Sequence, residues 1–371
     1  MAKRPELLPS LEGLRALAAL AVFGVHVEQL ADAGLTLGPL RLDQAMKNGR
    51  LGVAMFLVLS GYCLARPLWS RPCETRLETT LCGFAKRRFS RIVPLYWIVL
   101  TAIWLIQSKV SSLEFSDWLA HCVFVHNFWT ATLYSISEPL WAIALIVQYY
   151  VFWWLLMQMI RWLRLRSDAA IVGTLAGVLL ISWGINASLE VSGVAASLFG
   201  EQVWRHGLLI HLPIFTLGSL ASWFESRRVM QDSAQWLNAL VITGLLLLII
   251  ALACFPIELS LVASRYAFPI VPVLFAAVVL SATNEGWLQR VLSSRWLTFG
   301  GSISYAFYLV HQPAIQLTER LLRALAFPSS LWQLAVGSLL IAGVVAWTLT
   351  FAVEVPMRRL LSCGVSHRNE S

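Results

Sequence analysis

Charge is scarce in this chain. Only 13% of its 371 residues are Asp, Glu, Lys or Arg, where soluble domains average about 25%. That deficit excludes an ordinary water-exposed globule. Cysteine is sparse too. Cys63, Cys73, Cys82, Cys122, Cys254 and Cys363 are scattered, with no CxxC pair. The spacing fits neither a disulfide framework nor a zinc site, so no metal is expected. There is no internal repeat and no low-complexity linker, which argues against a solenoid or a string of modules. No cleavage site of small residues follows the first apolar stretch, so that stretch reads as a span rather than a signal peptide. A single membrane domain over 1–371, with short tails at both ends, is the expectation.

What the chain has in abundance is apolar sequence. Hydrophobic residues make up 58% of it, and the mean hydropathy is +0.70. Ten stretches suit a spanning helix of about 20 residues: 11–30, 51–68, 91–107, 139–160, 169–187, 207–223, 235–255, 266–282, 299–323 and 331–353. The expected fold is all-α: a polytopic membrane protein with about ten transmembrane helices in one bundle. The stretch 118–134 is apolar but carries His121, His126 and Asn127. It reads as a loop or re-entrant segment. The 17 Trp suit interfacial belts.

Basic residues orient the bundle. With the N-terminus in the cytoplasm, one side collects eighteen Lys and Arg, and the other holds six: Arg41, Lys47, Arg50, Lys109, Arg205 and Arg265. The positive-inside rule then places both termini in the cytoplasm. The net charge of +8 is explained by this topology, and basic residues spread over many loops make no nucleic-acid surface.

Against that background, intramembrane polar residues stand out. Arg15 and His26 share the first span with only apolar residues between them. Eleven residues is close to three turns, so both point one way, about 16 Å apart. An ionisable residue at a helix centre costs about 2.5–3.5 kcal/mol on insertion scales, so it is rarely there without a use. The spacing predicts Arg15 near one interface and His26 near the midplane. A histidine there could take a proton from an acceptor hydroxyl, and an arginine could hold an anionic donor or an oxyanion. The same pair also fits a snorkelling arginine and a structural histidine bonded to a neighbouring helix.

Three further segments carry polar residues on apolar helices. Ser60, Gly61 and Tyr62 form a notch in the second span. For Gly61, close helix crossing is the favoured use. Arg88 and Arg91 lie three apart in Lys86-Arg87-Arg88-Phe89-Ser90-Arg91. They share a face at the cytoplasmic mouth, suited both to a topological anchor and to the phosphates of a soluble cofactor. Ser304, Tyr305, Tyr308 and His311 fall on one face of the ninth span. Glu354-Val355-Pro356-Met357-Arg358 closes the tenth, with Pro356 expected to end the helix and Arg358 to pair with Glu354.

Taken in order, Arg-x10-His, G-V-x-x-F-x-x-L-S-G-Y, R-x-x-R-I-x-P-x-Y, I-S-Y-x-x-Y-L-x-H and E-x-P-x-R resemble the membrane-bound acyltransferase-3 family, over Leu11 to Arg359. Members of that family modify bacterial surface glycans. The resemblance implies an enzyme of the bacterial inner membrane that moves an acyl group, usually acetyl, from cytoplasmic acyl-CoA to a saccharide hydroxyl. It implies Arg15 and His26 as the core catalytic pair and Arg88 and Arg91 on the donor side. Tyr305, Tyr308 and His311 are then placed around the acyl path. Acyl-CoA enters as substrate, with no bound cofactor, and the partners are the donor, a saccharide or lipid-linked glycan acceptor and membrane lipids. Two positions depart from the family pattern. Ala54 and Ile146 stand where acidic residues are usual, and Glu138 and Gln148 are the nearest replacements. A glycolipid transporter using Arg15, His26 and His311, a non-catalytic scaffold and a haem protein with His26 and His311 as axial ligands are the competing readings.

Overall fold

The computed structural model describes residues 8–31, 36–37, 40–69, 81–109, 113–227, 240–245, 247 and 270–363. Among the described residues, nine long helices carry the fold: α1 (Pro9–Leu30), α2 (Leu51–Trp69), α3 (Leu81–Gln107), α4 (Leu140–Trp162), α5 (Asp168–Val191), α6 (Leu208–Ser226), α7 (Ile270–Thr283), α8 (Arg295–Ala324) and α9 (Leu331–Leu349). A two-residue antiparallel ribbon pairs Thr36–Leu37 with Leu40–Arg41. The protein is therefore all-α and polytopic.

Among the described residues, seven helices are long and apolar enough to cross a membrane. The hydropathy reading gave ten, and that count is not matched. The stretch 235–255 lies outside the described residues for most of its length. The stretch 266–282 is described only from Ile270, where α7 begins, and the described part of that helix has 14 residues. The α8 helix has 30 but carries a polar face and the charges Arg295, Glu319, Arg320 and Arg323, which lower its hydropathy.

Two close crossings build the centre. Gly61 of α2 lies on the carbonyl of Phe215, and Gly218 of α6 lies on that of Val58, so a Cβ at either would collide with backbone. Small residues let helices approach where lipid supplies no hydrophobic drive. This bears out the structural use expected of Gly61. In the same way Gly301 of α8 sits against the carbonyl of Glu12, and α8 runs along α1. The stretch 118–134 does not span. It breaks into short helices, Phe115–Cys122 and Thr130–Leu133, around a 3₁₀ turn, His126–Phe128. Its polar residues His121, His126 and Asn127 are buried.

Pro356 does not end a helix. A π-helical turn, Thr350–Glu354, follows α9, and the helix continues through Val355–Cys363. The wider turn shifts the hydrogen-bond ladder just before a residue with no N–H to give it. Arg358 pairs with Glu354 at 3.8 Å as expected.

Candidate active site

The pairing of α1 with α8 sets one end of the site. Phe23 meets Phe307 with ring centroids 5.6 Å apart, and one turn on, His26 meets His311 at 5.1 Å. His26 does not sit midway along its helix. It lies four residues, about 6 Å, from the end of α1 at Leu30. Its Nδ1–H donates to Gln29 Oε1 at 2.9 Å, and Glu138 Oε2 lies 3.7 Å from the same nitrogen. With the proton on Nδ1, Nε2 keeps its lone pair. His311 Nδ1–H donates to the Tyr308 carbonyl at 2.7 Å, and its buried Nε2 has no hydrogen-bond partner among the described residues.

His26 opens on a cavity of about 330 Å³, lined also by Gln29, Glu138, Tyr134, Trp141 and His206. The loop after α3 supplies part of this wall. Tyr134 Oη–H donates to His206 Nε2 at 3.0 Å, while His206 Nδ1–H donates to the Gln202 carbonyl at 2.7 Å. Burial, with the Glu138 carboxylate nearby, pushes the Tyr134 hydroxyl up to about 12, so it stays protonated and donates. Behind it, the rings of His121 and His126 stack 3.8 Å apart and almost parallel. Burial holds both below the ordinary histidine range, His126 down to about 2 with help from the like charge His121 would carry.

The other end is built from arginines. Arg15 pairs with Glu12 at 2.6 Å and donates to Cys63 Sγ at 3.4 Å. Arg88 donates to the Cys63 carbonyl at 3.2 Å and lies 5.8 Å from the Tyr150 ring centroid. Arg15, Arg88 and Arg91 together line two cavities, of about 190 and 390 Å³. Gathering three guanidinium groups costs free energy that an anion would offset. Arg15 therefore stands with the two α3 arginines. It lies about 16 Å along the axis from His26, too far to hold an oxyanion formed there.

The two ends are linked. Val53 and Tyr308 line both the His26 cavity and the 190 Å³ cavity. The four polar residues of α8 share a face but divide their tasks. Tyr305 reaches the arginine cavity and donates to the Ile92 carbonyl at 2.7 Å. Tyr308 stands between the cavities and donates to the Pro139 carbonyl at 3.0 Å. His311 packs on His26, and Ser304 donates to the Gly301 carbonyl. Both tyrosine hydroxyls are thus engaged by backbone, which makes the rings walls of a path.

The two departures from the family pattern resolve differently. Ala54 is 1% exposed and packed in the core, while Ile146 lines the arginine cavity. Gln148 replaces neither. Its amide donates to the Phe124 carbonyl and to Asn127 Oδ1, tying down the loop. Glu138 is the carboxylate beside His26. Sequence reasoning missed Gln29, Tyr134, Trp141, His206 and Gln312. The first is three residues past His26 on the same face, a signal that was available. Gln312 is the chain neighbour of His311, while Tyr134, Trp141 and His206 reach the site from other segments, and spacing carries no trace of that. Among the described residues, no cluster of three or more His, Cys, Asp or Glu suits a metal.

Residues 8–352 match the model of a family described as an acyltransferase domain. Acyltransferase MdmB of Streptomyces mycarofaciens is 26% identical over 384 residues, covering 95% of this chain and 92% of that protein. Peptidoglycan O-acetyltransferase OatA of Listeria monocytogenes is 26% identical over 343 residues, covering 85% of this chain and 50% of its own length. A putative O-acetyltransferase of Staphylococcus aureus is 24% identical over 337 residues, with 85% and 52% covered. The chain thus spans nearly all of the first relative and about half of the other two. No solved structure matches. An all-helical, multi-pass architecture, the ordered motifs and a match over nearly the whole length lead to one statement: the chain belongs to the acyltransferase-3 family of membrane acyltransferases.

Proposed function

We propose that this protein is an integral-membrane O-acyltransferase that moves an acetyl group from cytoplasmic acyl-CoA to a hydroxyl of a surface or exported saccharide. The observation that carries the reading is the linked series of cavities, arginine-lined at one end and histidine-lined at the other. Fixed cations suit the phosphates of CoA. Arg88 and Arg91, joined by Arg15, hold the nucleotide end, and the acyl-bearing arm runs past Tyr305 and Tyr308 toward His26. The aromatic and polar wall of Tyr134, Trp141 and His206 suits a sugar. The Listeria relative is named for acetyl transfer to peptidoglycan, which supports a saccharide acceptor without identifying it.

In this mechanism His26 Nε2 takes the proton of the acceptor hydroxyl as its oxygen attacks the thioester carbonyl. The tetrahedral intermediate collapses with cleavage of the carbon–sulfur bond. The imidazolium returns its proton to the departing CoA thiolate. The products are an ester and free CoA, with His26 restored.

The charge asymmetry of the loops favours both termini in the cytoplasm and the arginine end facing the cytoplasm of a bacterial inner membrane. Sealed membrane vesicles test donor and orientation together. Inside-out vesicles containing the protein are expected to release CoA from added acetyl-CoA and to acetylate glycan. Right-side-out vesicles are expected to be silent. Turnover only in right-side-out vesicles would invert the topology, and no turnover in either would remove the reading.

A further inference from the structure

We infer that Glu138 is the positioning residue for His26 and that Gln312 of α8 sets it in place. This rests on the reading of His26 as the proton acceptor. The placement is unusually well determined. Gln312 Oε1 accepts from the Ser137 hydroxyl at 2.7 Å and from the Glu138 backbone N–H at 2.9 Å. Its Nε2 donates to Glu138 Oε2 at 3.4 Å. One amide thus fixes both the turn and its carboxylate, from the residue next to His311. The same Oε2 lies 3.7 Å from His26 Nδ1.

The chemistry gives this arrangement a use. At rest, Nδ1–H donates to Gln29, and the ring is neutral. When the acceptor's proton arrives at Nε2, the ring becomes a cation. Arg50 lines the same cavity and opposes that charge, and the second imidazole, His311, packs on the ring. Glu138 is the carboxylate within 4 Å of His26 among the described residues. Its charge balances the imidazolium until the proton leaves with the thiolate. Glu138 also precedes the N-terminus of α4, where an acid favours the helix dipole. That purely structural role would alter stability and leave turnover alone, so the two roles separate by experiment.

The test uses inside-out vesicles holding the full-length protein and their own glycans, with labelled acetyl-CoA as probe. Glu138→Gln is expected to lower the maximal rate about 10- to 100-fold while the KM for acetyl-CoA stays within about twofold. The loss is smaller than the ~10⁴ seen when a directly hydrogen-bonded triad carboxylate is neutralised, because this contact is longer. Glu138→Asp, which keeps the charge, is expected to recover part of the rate. Gln312→Glu, which exchanges the amide donor for a second carboxylate, is expected to fall like Glu138→Gln. A Glu138→Gln rate within about twofold of wild type overturns the inference. So does a Glu138→Asp rate as low as that of Glu138→Gln, which would mark a packing role. If the wild type itself transfers no label, it is the acyltransfer reading that fails, and this inference with it.

Discussion

The two ends of the buried path solve different problems with different side chains. At the arginine end, Arg15, Arg88 and Arg91 carry permanent charge, with Arg15 bonded to Glu12 and Cys63 Sγ and Arg88 to the Cys63 carbonyl. At the histidine end, the rings of His26 and His311 are in contact, each with Nδ1–H committed to a local oxygen. Permanent cations suit an anion that must be held without exchanging protons. A neutral imidazole with a free lone pair suits a proton that must be taken and returned. About 16 Å of helix separates the two tasks, and Val53 and Tyr308 line both cavities they face. Under the proposed function, one helix, α1, contributes to both tasks, Arg15 at the donor end and His26 at the acceptor end.

The comparison breaks most sharply at His26. His26→Ala is expected to lower acetyl transfer by at least 10²-fold, the ordinary scale for losing a general base. Acyl-CoA binding, measured by titration of the purified protein, should stay as in wild type. Weakened donor binding in this variant would mean that the two ends are not independent.

The arginine end should show the opposite pattern. Replacing Arg88 and Arg91 together with Gln is expected to weaken acyl-CoA binding tenfold or more, since each charge-assisted bond is worth about 1.5–3 kcal/mol. Wild-type affinity should fall as salt rises, and the double variant should show a flatter dependence. Equal affinities would return these residues to a topological anchor.

The smallest effect concerns the loop that walls the histidine end. Burial keeps His121 and His126 neutral in the folded protein. Both folded values are depressed, so the unfolded chain binds more protons below the ordinary histidine value of about 6.5. Stability is therefore full above that pH and declines as pH falls through it. Thermal melts of the purified protein between pH 7.5 and 5 should show a lower Tm on the acid side. The double change His121→Phe, His126→Phe should flatten the trend. A wild-type Tm independent of pH would show that the loop opens without global unfolding.

Much of the division was legible in the chain itself. The helical period places Arg15 and His26 on one face of α1, and Tyr305, Tyr308 and His311 on one face of α8, because side-chain direction follows from sequence spacing once a helix forms. Scarce charge and long apolar runs fix the membrane setting, and Gly61 reads as a crossing point.

The amino-acid sequence by itself thus determined the membrane class, the helical architecture and which residues share a helical face. These follow from hydropathy and a fixed period. The tertiary structure alone decided which faces meet. It gave Arg15 to the α3 arginines, His311 to His26, and Tyr308 to the wall between two cavities. It also brought Glu138 and Gln312, 174 positions apart, within hydrogen-bonding distance. Contacts between distant segments arise from packing, and packing leaves no periodic mark on the chain that makes it.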